Sequence, residues 1–203
     1  MKILVCIAQA PDTTSKIAFT DNNTKFNEQG VTYIINPYDE WYALVRALEL
    51  KEAGKATEIG LITVGNQSAE AIMRKALALG GDNAVRVNME SNDPYAVAEQ
   101  IAAYAKANNY DLVLTGKEAI DYNNAAVSAL IAGMTDYQYV GLATQLDVDG
   151  TTLTVTREIE GGEETDALSL PAVISCQKGM AEARIPNMRG IMAARTKPLA
   201  VQE

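Results

Sequence analysis

The chain of 203 residues contains no histidine. That absence removes Ser-His-Asp and Cys-His nucleophilic catalysis and every His-ligated metal site. Acid–base chemistry would fall to carboxylates, Lys or Tyr. Cysteine is scarce as well: Cys6 and Cys176 are the only two, both in apolar, strand-like runs. The expectation is a pair of free buried thiols in a reducing, cytoplasmic compartment. Cations are in deficit, with 17 Lys and Arg against 26 Asp and Glu, for a net charge of −9. Phosphate backbones and anionic lipid attract Lys/Arg-rich faces, so this balance argues against a nucleic-acid or membrane-surface partner. No apolar run approaches the ~20 residues that cross a bilayer. The opening Met1-Lys2-Ile3-Leu4-Val5 passes from a strand pattern into a polar loop without a signal-peptide cleavage region.

What is present is an apolar fraction of 48%, enough for one full core or a core with a small appendage. Residues 3–8 read as a strand buried on both faces. A polar segment follows, with Phe19, Phe26, Val31 and Tyr33-Ile34-Ile35 in an irregular excursion or small hairpin. Asn36-Pro37 is expected to open a helix, Asn as N-cap and Pro at the first helical position, running to about Ala53 and stopped by Gly54. Strands are predicted over 59–64, at Val85 and Val87, and over 111–115. Helices are predicted over 69–79, from Asp93-Pro94 to about 108, and over 127–134 with a stop near Gly133. Strands alternating with helices of this length imply a doubly wound, mainly parallel α/β sheet with a Rossmann-like layout. After residue 135 the period changes. Leu146, Val148, Leu153 and Val155 alternate with polar residues around Asp149-Gly150, a hairpin signal spanning 144–160. A further strand is expected over 168–175. The domain reading is a nucleotide-binding α/β unit over 1–176, then a recognition loop and tail over 177–203.

Ligands of open α/β sheets sit beyond the carboxyl ends of the strands, where the winding reverses. Three junctions have suitable chemistry: Asn36-Pro37-Tyr38-Asp39, Thr63-Val64-Gly65-Asn66 and Thr115-Gly116-Lys117-Glu118-Ala119-Ile120-Asp121. Helix starts offer backbone N–H groups and about half a positive charge to an anion. Lys117 is the only cation nearby. Against this, no Gly-x-Gly-x-x-Gly follows the first strand and no Walker A motif occurs. Asp39, Glu40, Asp121 and Asp136 could serve as metal or acid–base carboxylates. Asp39 and Glu40, however, fall in a first helical turn, where negative charge is stabilising in any case.

Taken in order, several segments resemble the β subunit of electron transfer flavoprotein. They include Ile3-Leu4-Val5-Cys6, Asn36-Pro37-Tyr38-Asp39-Glu40 and Arg74-Lys75-Ala76-Leu77-Ala78-Leu79-Gly80. Further on come Gly116-Lys117-Glu118-Ala119-Ile120-Asp121, Arg157-Glu158-Ile159-Glu160-Gly161-Gly162, Leu170-Pro171-Ala172-Val173 and Ile191-Met192-Ala193-Ala194. The resemblance covers nearly the whole chain. It implies an electron-carrier subunit, not an enzyme, that pairs with an α subunit. The pair takes electrons from acyl-CoA and related dehydrogenases, as in fatty acid oxidation, and passes them to a quinone oxidoreductase. The resemblance also implies an FAD held mainly by the α subunit and an AMP held by this one. In electron-bifurcating relatives a second FAD takes the AMP position, and a nucleotide-sensing module without redox role is a third reading.

By position, the AMP contacts implied are Cys6, Asn36, Pro37, Tyr38, Asp39, Val64, Gly116, Ile120, Asp121, Asn123, Asn124, Ala125, Ala126 and Val127. The Gln and Thr common in that last stretch of the family are Ala126 and Val127 here, which leaves phosphate binding to backbone donors. The resemblance further implies a dehydrogenase-docking loop over 177–184, with Met180 as an exposed apolar anchor beside Glu182 and Arg184. It also implies a β-subunit glutamate that steers a flavin-domain arginine, with Glu158, Glu160 and Glu163 as candidates. Family members typically run some tens of residues past the position of Glu203, into an arm that wraps the α subunit.

Overall fold

The computed structural model describes residues 1–120 and 122–203. Strand β1 (Lys2–Cys6) is buried from Ile3 onward, and its alternating side chains feed two different cores. Ile3 and Val5 join one apolar cluster, while Leu4 and Cys6 join the other. After β1 the chain makes the expected excursion. Strands β2 (Gln9–Pro11) and β5 (Tyr33–Ile35) pair antiparallel, and between them β3 (Phe19–Thr20) and β4 (Lys25–Phe26) form a short hairpin. Phe19 and Phe26 meet edge to face, 6.3 Å apart.

Helix α1 (Glu40–Glu52) begins three residues later than the sequence suggests. The Asn36 side chain does accept the Tyr38 N–H at 2.9 Å, as a cap would. The 37–39 segment nevertheless stays a turn, and Asp39 is the N-cap residue. The far end agrees with expectation: Gly54, at φ +74°, follows the Ala53 C-cap. Next come β6 (Glu58–Val64), a 3-10 turn over Gln67–Ala69, α2 (Glu70–Leu79), β7 (Asn83–Val87), α3 (Pro94–Ala107) and β8 (Leu112–Gly116). Asp93 caps α3 by accepting the Tyr95 N–H at 2.9 Å. Helix α4 (Val127–Thr135) runs through Gly133 and stops only at Asp136, which takes the left-handed conformation at φ +58°.

Strands β9 (Gln138–Asp149) and β10 (Thr152–Ile159) form the predicted hairpin around Asp149-Gly150. Their inward residues Leu146, Val148, Leu153 and Val155 are buried. A third antiparallel strand, β11 (Gly162–Ser169), extends it. Leu168 and Ser169 therefore belong to β11, and the strand predicted to start at 168 is β12 (Ala172–Cys176). The final segment, expected as loop and tail, contains α5 (Met188–Ala194) and β13 (Leu199–Gln202).

The main sheet has nine strands in the order β11-β10-β9-β12-β8-β1-β6-β7-β13. All pairs from β9 to β13 in that order are parallel. Helices α1 and α2 cover one face, with Leu44, Leu48, Ile72 and Leu77 against Ile3 and Leu61. Helices α3 and α4 cover the other, with Ala98, Ile101 and Ile131 against Leu4 and Val113. The chain winds outward from β1 through β6 and β7, then resumes on the opposite side of β1 with β8. That reversal is the switch point of a doubly wound fold.

The last segment is stapled to α2. Lys197 Nζ donates to the carbonyls of Leu77 and Gly81 at 2.9 and 2.7 Å, at the carboxyl end of that helix. Arg74 donates to the carbonyls of Ala194 and Lys197. Replacing Lys197 with Met is expected to cost about 1–2 kcal/mol, because two carbonyls lose a charged donor. Amide hydrogen exchange should speed up in α5 and β13 and stay unchanged in β1 and β8.

Candidate functional site

The carboxyl ends of β1, β6 and β8 converge on a crevice of about 360 Å³ at the switch point. Its depth is apolar, with Ile62, Val64, Val97, Ile101 and Val127 on the walls. Its rim is polar. Gln9 donates to Ser68 at 2.9 Å, the Ser68 hydroxyl donates to Asn66 Oδ1 at 2.6 Å, and Asn66 Nδ2 donates to Glu90 at 2.6 Å. Across the mouth the Tyr122 hydroxyl donates to Asn92 Oδ1 at 2.6 Å. The loop after β7 is thus tied to both walls. Behind it lies Arg86, 5% exposed, whose guanidinium holds the Gly65 carbonyl, Glu70 and Asn88.

The floor between β1 and β8 is set by the start of α1. Glu40 is buried and its carboxylate accepts the Ala8 N–H at 2.8 Å, closing the turn after β1. Gly116 sits directly against it. A methyl group there would lie 2.9 Å from Glu40 Cγ and 3.0 Å from Asp39 Cβ. Asn36 and Asp39 are almost fully buried and bonded to each other at 3.1 Å, and Asn36 also donates to the Glu118 carbonyl at 3.2 Å. Burial pushes the Asp39 carboxyl above the usual carboxylate range, against the opposing pull of the Asn36 amide and the Lys117 charge. Burial likewise pushes both thiols up, Cys6 further by the Glu40 charge and Cys176 by that of Asp39, so neither is a nucleophile at neutral pH.

The sequence-derived adenylate set divides in two. Cys6, Val64, Gly116, Asn124, Ala125 and Val127 line the crevice. Asn36 and Asp39 lie beneath its floor, Tyr38 is 55% exposed, and Pro37, Ile120, Asn123 and Ala126 are not on the lining. Asp121 lies outside the described residues. In the 119–126 loop, Ala119 and Asn124 exchange backbone hydrogen bonds at 2.8 and 3.2 Å, and the Asn124 side chain accepts the Ala126 N–H at 2.7 Å. Ala125, Val127 and Ser128, at the start of α4, line the crevice. Glu28, Glu40, Glu90 and Glu118 also border it, against Lys117 as the sole cation among the described lining residues. The Glu90 to Asn92 loop escaped the sequence reading; its signal was a polar run lodged between β7 and the Asp93-Pro94 cap, at this same sheet edge.

The 177–184 loop does not present Met180. That side chain is 4% exposed and packs into the larger apolar cluster with Cys176. Arg184 is held by Glu52, through 2.7 and 2.9 Å bonds, and its carbonyl accepts the Trp41 indole N–H. An apolar side chain following buried β12 gains more from the core than from water. Glu182 remains exposed. The exposed apolar residues lie farther on: Ile185 at 90%, Met188 at 74%, Met192 at 55% and Ile191 at 42%. Glu158, Glu160 and Glu163 cluster, exposed, at the β10–β11 tip, whereas Glu164 is taken by Arg157.

A buried acid with a raised pKa keeps in the native state a proton that the unfolded chain releases. Stability must therefore fall as pH climbs from the ordinary carboxylate range through the native value. Asp39→Asn retains an acceptor for the Asn36 amide and removes this slope. Urea melts from about pH 4 to 7 should show the variant gaining on the parent as pH rises and no advantage at the acid end.

Known proteins agree with the resemblance. The family profile of the electron transfer flavoprotein domain matches residues 23–203. The chain is 39% identical over 201 residues to the electron transfer flavoprotein subunit beta of Syntrophomonas wolfei subsp. wolfei, covering 98% of this chain and 79% of that one. Identity to the subunit of the same name in Bacillus subtilis is 36% over 203 residues, covering 98% and 77%. To that of Homo sapiens it is 32% over 206 residues, covering 99% and 80%. No helix of the described residues is long and apolar enough to cross a membrane. With the switch-point crevice and near-full-length matches, the chain belongs to the electron transfer flavoprotein β-subunit family, whose members are generally electron carriers that work with an α subunit.

Proposed function

We propose that this chain is the AMP-holding half of a heterodimeric electron carrier. The carrier works in a bacterial cytoplasm, between acyl-CoA or related dehydrogenases and a quinone oxidoreductase. The observation that carries the reading is the crevice: apolar in depth, polar at the rim, at the switch point, and lined by six of the residues the resemblance assigns to AMP. The Ile101 and Val127 walls suit a flat purine. Asn66 and Asn124 at the rim suit a ribose or phosphate. With Lys117 the only cation among the described lining residues and four glutamates nearby, the anion rests on backbone N–H groups at the start of α4. The crevice volume of about 360 Å³ is on the scale of a mononucleotide. FAD, held mainly by the α subunit, supplies the electron-accepting ring. The role of this chain is to pack beside that domain and to dock donors. A bacterial setting is supported by the Syntrophomonas and Bacillus relatives, and a reducing one by two free, buried cysteines.

Mass spectrometry of small molecules released from the purified heterodimer is expected to find one AMP and one FAD. Two FAD in place of that pair would favour the bifurcating reading. A colourless protein without an α subunit would favour a nucleotide sensor.

Docking is assigned to the exposed face formed by Ile185, Met188, Ile191 and Met192, flanked by exposed Arg189 and Arg195. On a chain of net charge −9, this apolar face with a basic rim suits a dehydrogenase patch that is apolar with an acidic rim. Met188→Asp should lower kcat/KM for electron uptake from an acyl-CoA dehydrogenase about 30-fold, the usual loss at an anchor worth ~2 kcal/mol. Met180→Ala should instead destabilise the fold by about 2–5 kcal/mol and leave the uptake rate of the folded fraction unchanged. Equal uptake by the parent and Met188→Asp would remove this face from docking.

A further inference from the structure

We propose that Met188 and Met192 are a paired oxidation site, at which hydrogen peroxide converts both thioethers to sulfoxides and closes the docking face. This inference rests on the docking role assigned above. Of the seven methionines, Met73 is 0% and Met180 4% exposed, while Met188 and Met192 stand at 74% and 55%. The two are four residues apart on α5, so their sulfurs share one face. The opposite face is fixed. Ala194 is buried, and a side chain at Gly190 would collide with the Ala78 carbonyl of α2. The Asn187 side chain caps the helix by accepting the Gly190 N–H at 2.8 Å. With Gly190 seated this close on α2, the Met188 and Met192 side of α5 faces outward.

The chemistry balances with peroxide as the only co-reactant. Each sulfur attacks one peroxide oxygen, the O–O bond breaks, an S–O bond forms, and the second oxygen leaves as water after proton transfer. Sulfur is oxidised by two electrons and peroxide reduced by two. The product replaces a soft, adaptable apolar surface with a strong, outward-facing acceptor. Ile185 and Ile191 in the same patch cannot undergo this change. A dehydrogenase pocket that accepts the thioethers would have to bury two sulfoxide oxygens without donors.

The test uses the heterodimer with its α subunit. After mild hydrogen peroxide treatment, peptide mass spectrometry is expected to show oxygen uptake at Met188 and Met192 at least about tenfold faster than at Met73 and Met180. Electron uptake from an acyl-CoA dehydrogenase should fall about tenfold, the cost of a poorly paired buried acceptor. Methionine sulfoxide reductases of both stereospecificities should restore it. The rate of a Met188→Leu/Met192→Leu variant, whatever its starting value, should not respond to peroxide. Oxidation at the pair no faster than in the core overturns the site, as does a loss that persists in the Leu variant. Full oxidation with an unchanged rate overturns the switch; if Met188→Asp is slow in the same assay, docking at this face stands, and if it is not, the docking reading falls with it.

Discussion

The start of α1 is pressed against the carboxyl end of β8 at Gly116, and the rest of the site depends on that contact. Because Gly116 has no side chain, Glu40 and the Asp39 Cβ can pack directly against the end of β8, which is paired with β1. From there the Glu40 carboxylate reaches the Ala8 N–H and fixes how the chain leaves β1. The resemblance places Gly116 among the AMP contacts. In the structure its missing Cβ serves helix-on-strand packing, and only its exposed edge faces the crevice. The same contact explains why Asn36 and Asp39 are buried. Asn36 ties this turn to the loop after β8 through the Glu118 carbonyl.

Electrostatics follows from this geometry. The crevice carries more acid than base, so side-chain charge repels the anion the site is proposed to hold. What remains attractive is local and directional: the N–H groups at the start of α4, presented by a loop that Asn124 folds back on itself. Directional donors in a partly apolar cleft bind best when little must be rearranged. The rim meets that condition, since Gln9, Ser68, Asn66 and Glu90 are already joined in one chain of hydrogen bonds.

The core of the fold was legible in the sequence because its signals are redundant. For β1, a buried apolar run, a following helix and a parallel neighbour all agree, and so too for β6 and β8. Helix α3 carries its Asp93-Pro94 start in plain view. Where one local signal stood alone, it misled. Asn36 made its capping bond, yet tertiary packing of Asp39 and Glu40 on Gly116 set the helix start. Gly133 lies in a helix whose buried face outweighs its propensity. Strand β11 has no apolar alternation at all. Its residues pair with β10 through backbone bonds, the Thr156–Thr165 hydroxyls and the Arg157–Glu164 ion pair, none of which leaves a periodic trace. Six of the fourteen adenylate residues line the crevice, and three of those, Cys6, Val64 and Gly116, sit at strand ends fixed by the sheet, while the 36–39 turn is placed by contacts distant in sequence.

Two methionines eight residues apart, Met180 and Met188, show why sequence position alone could not assign docking. Both follow β12 in polar surroundings, and each could be either core or anchor. The chain resolves this by what it ties down on either side. Arg184, clamped by Glu52 and by the Trp41 indole, pins the middle of the segment to α1, and Met180 before it turns inward. After the clamp, Lys197 and Arg74 pull the returning chain onto α2, which leaves β13 pairing with β7 and the Met188 side of α5 facing outward. An anchor for a passing partner has to be exposed and yet held on a rigid base, because ordering it at the moment of contact costs affinity. Between two fixed staples, α5 meets both requirements, and Met180, seated in the core, meets only the second.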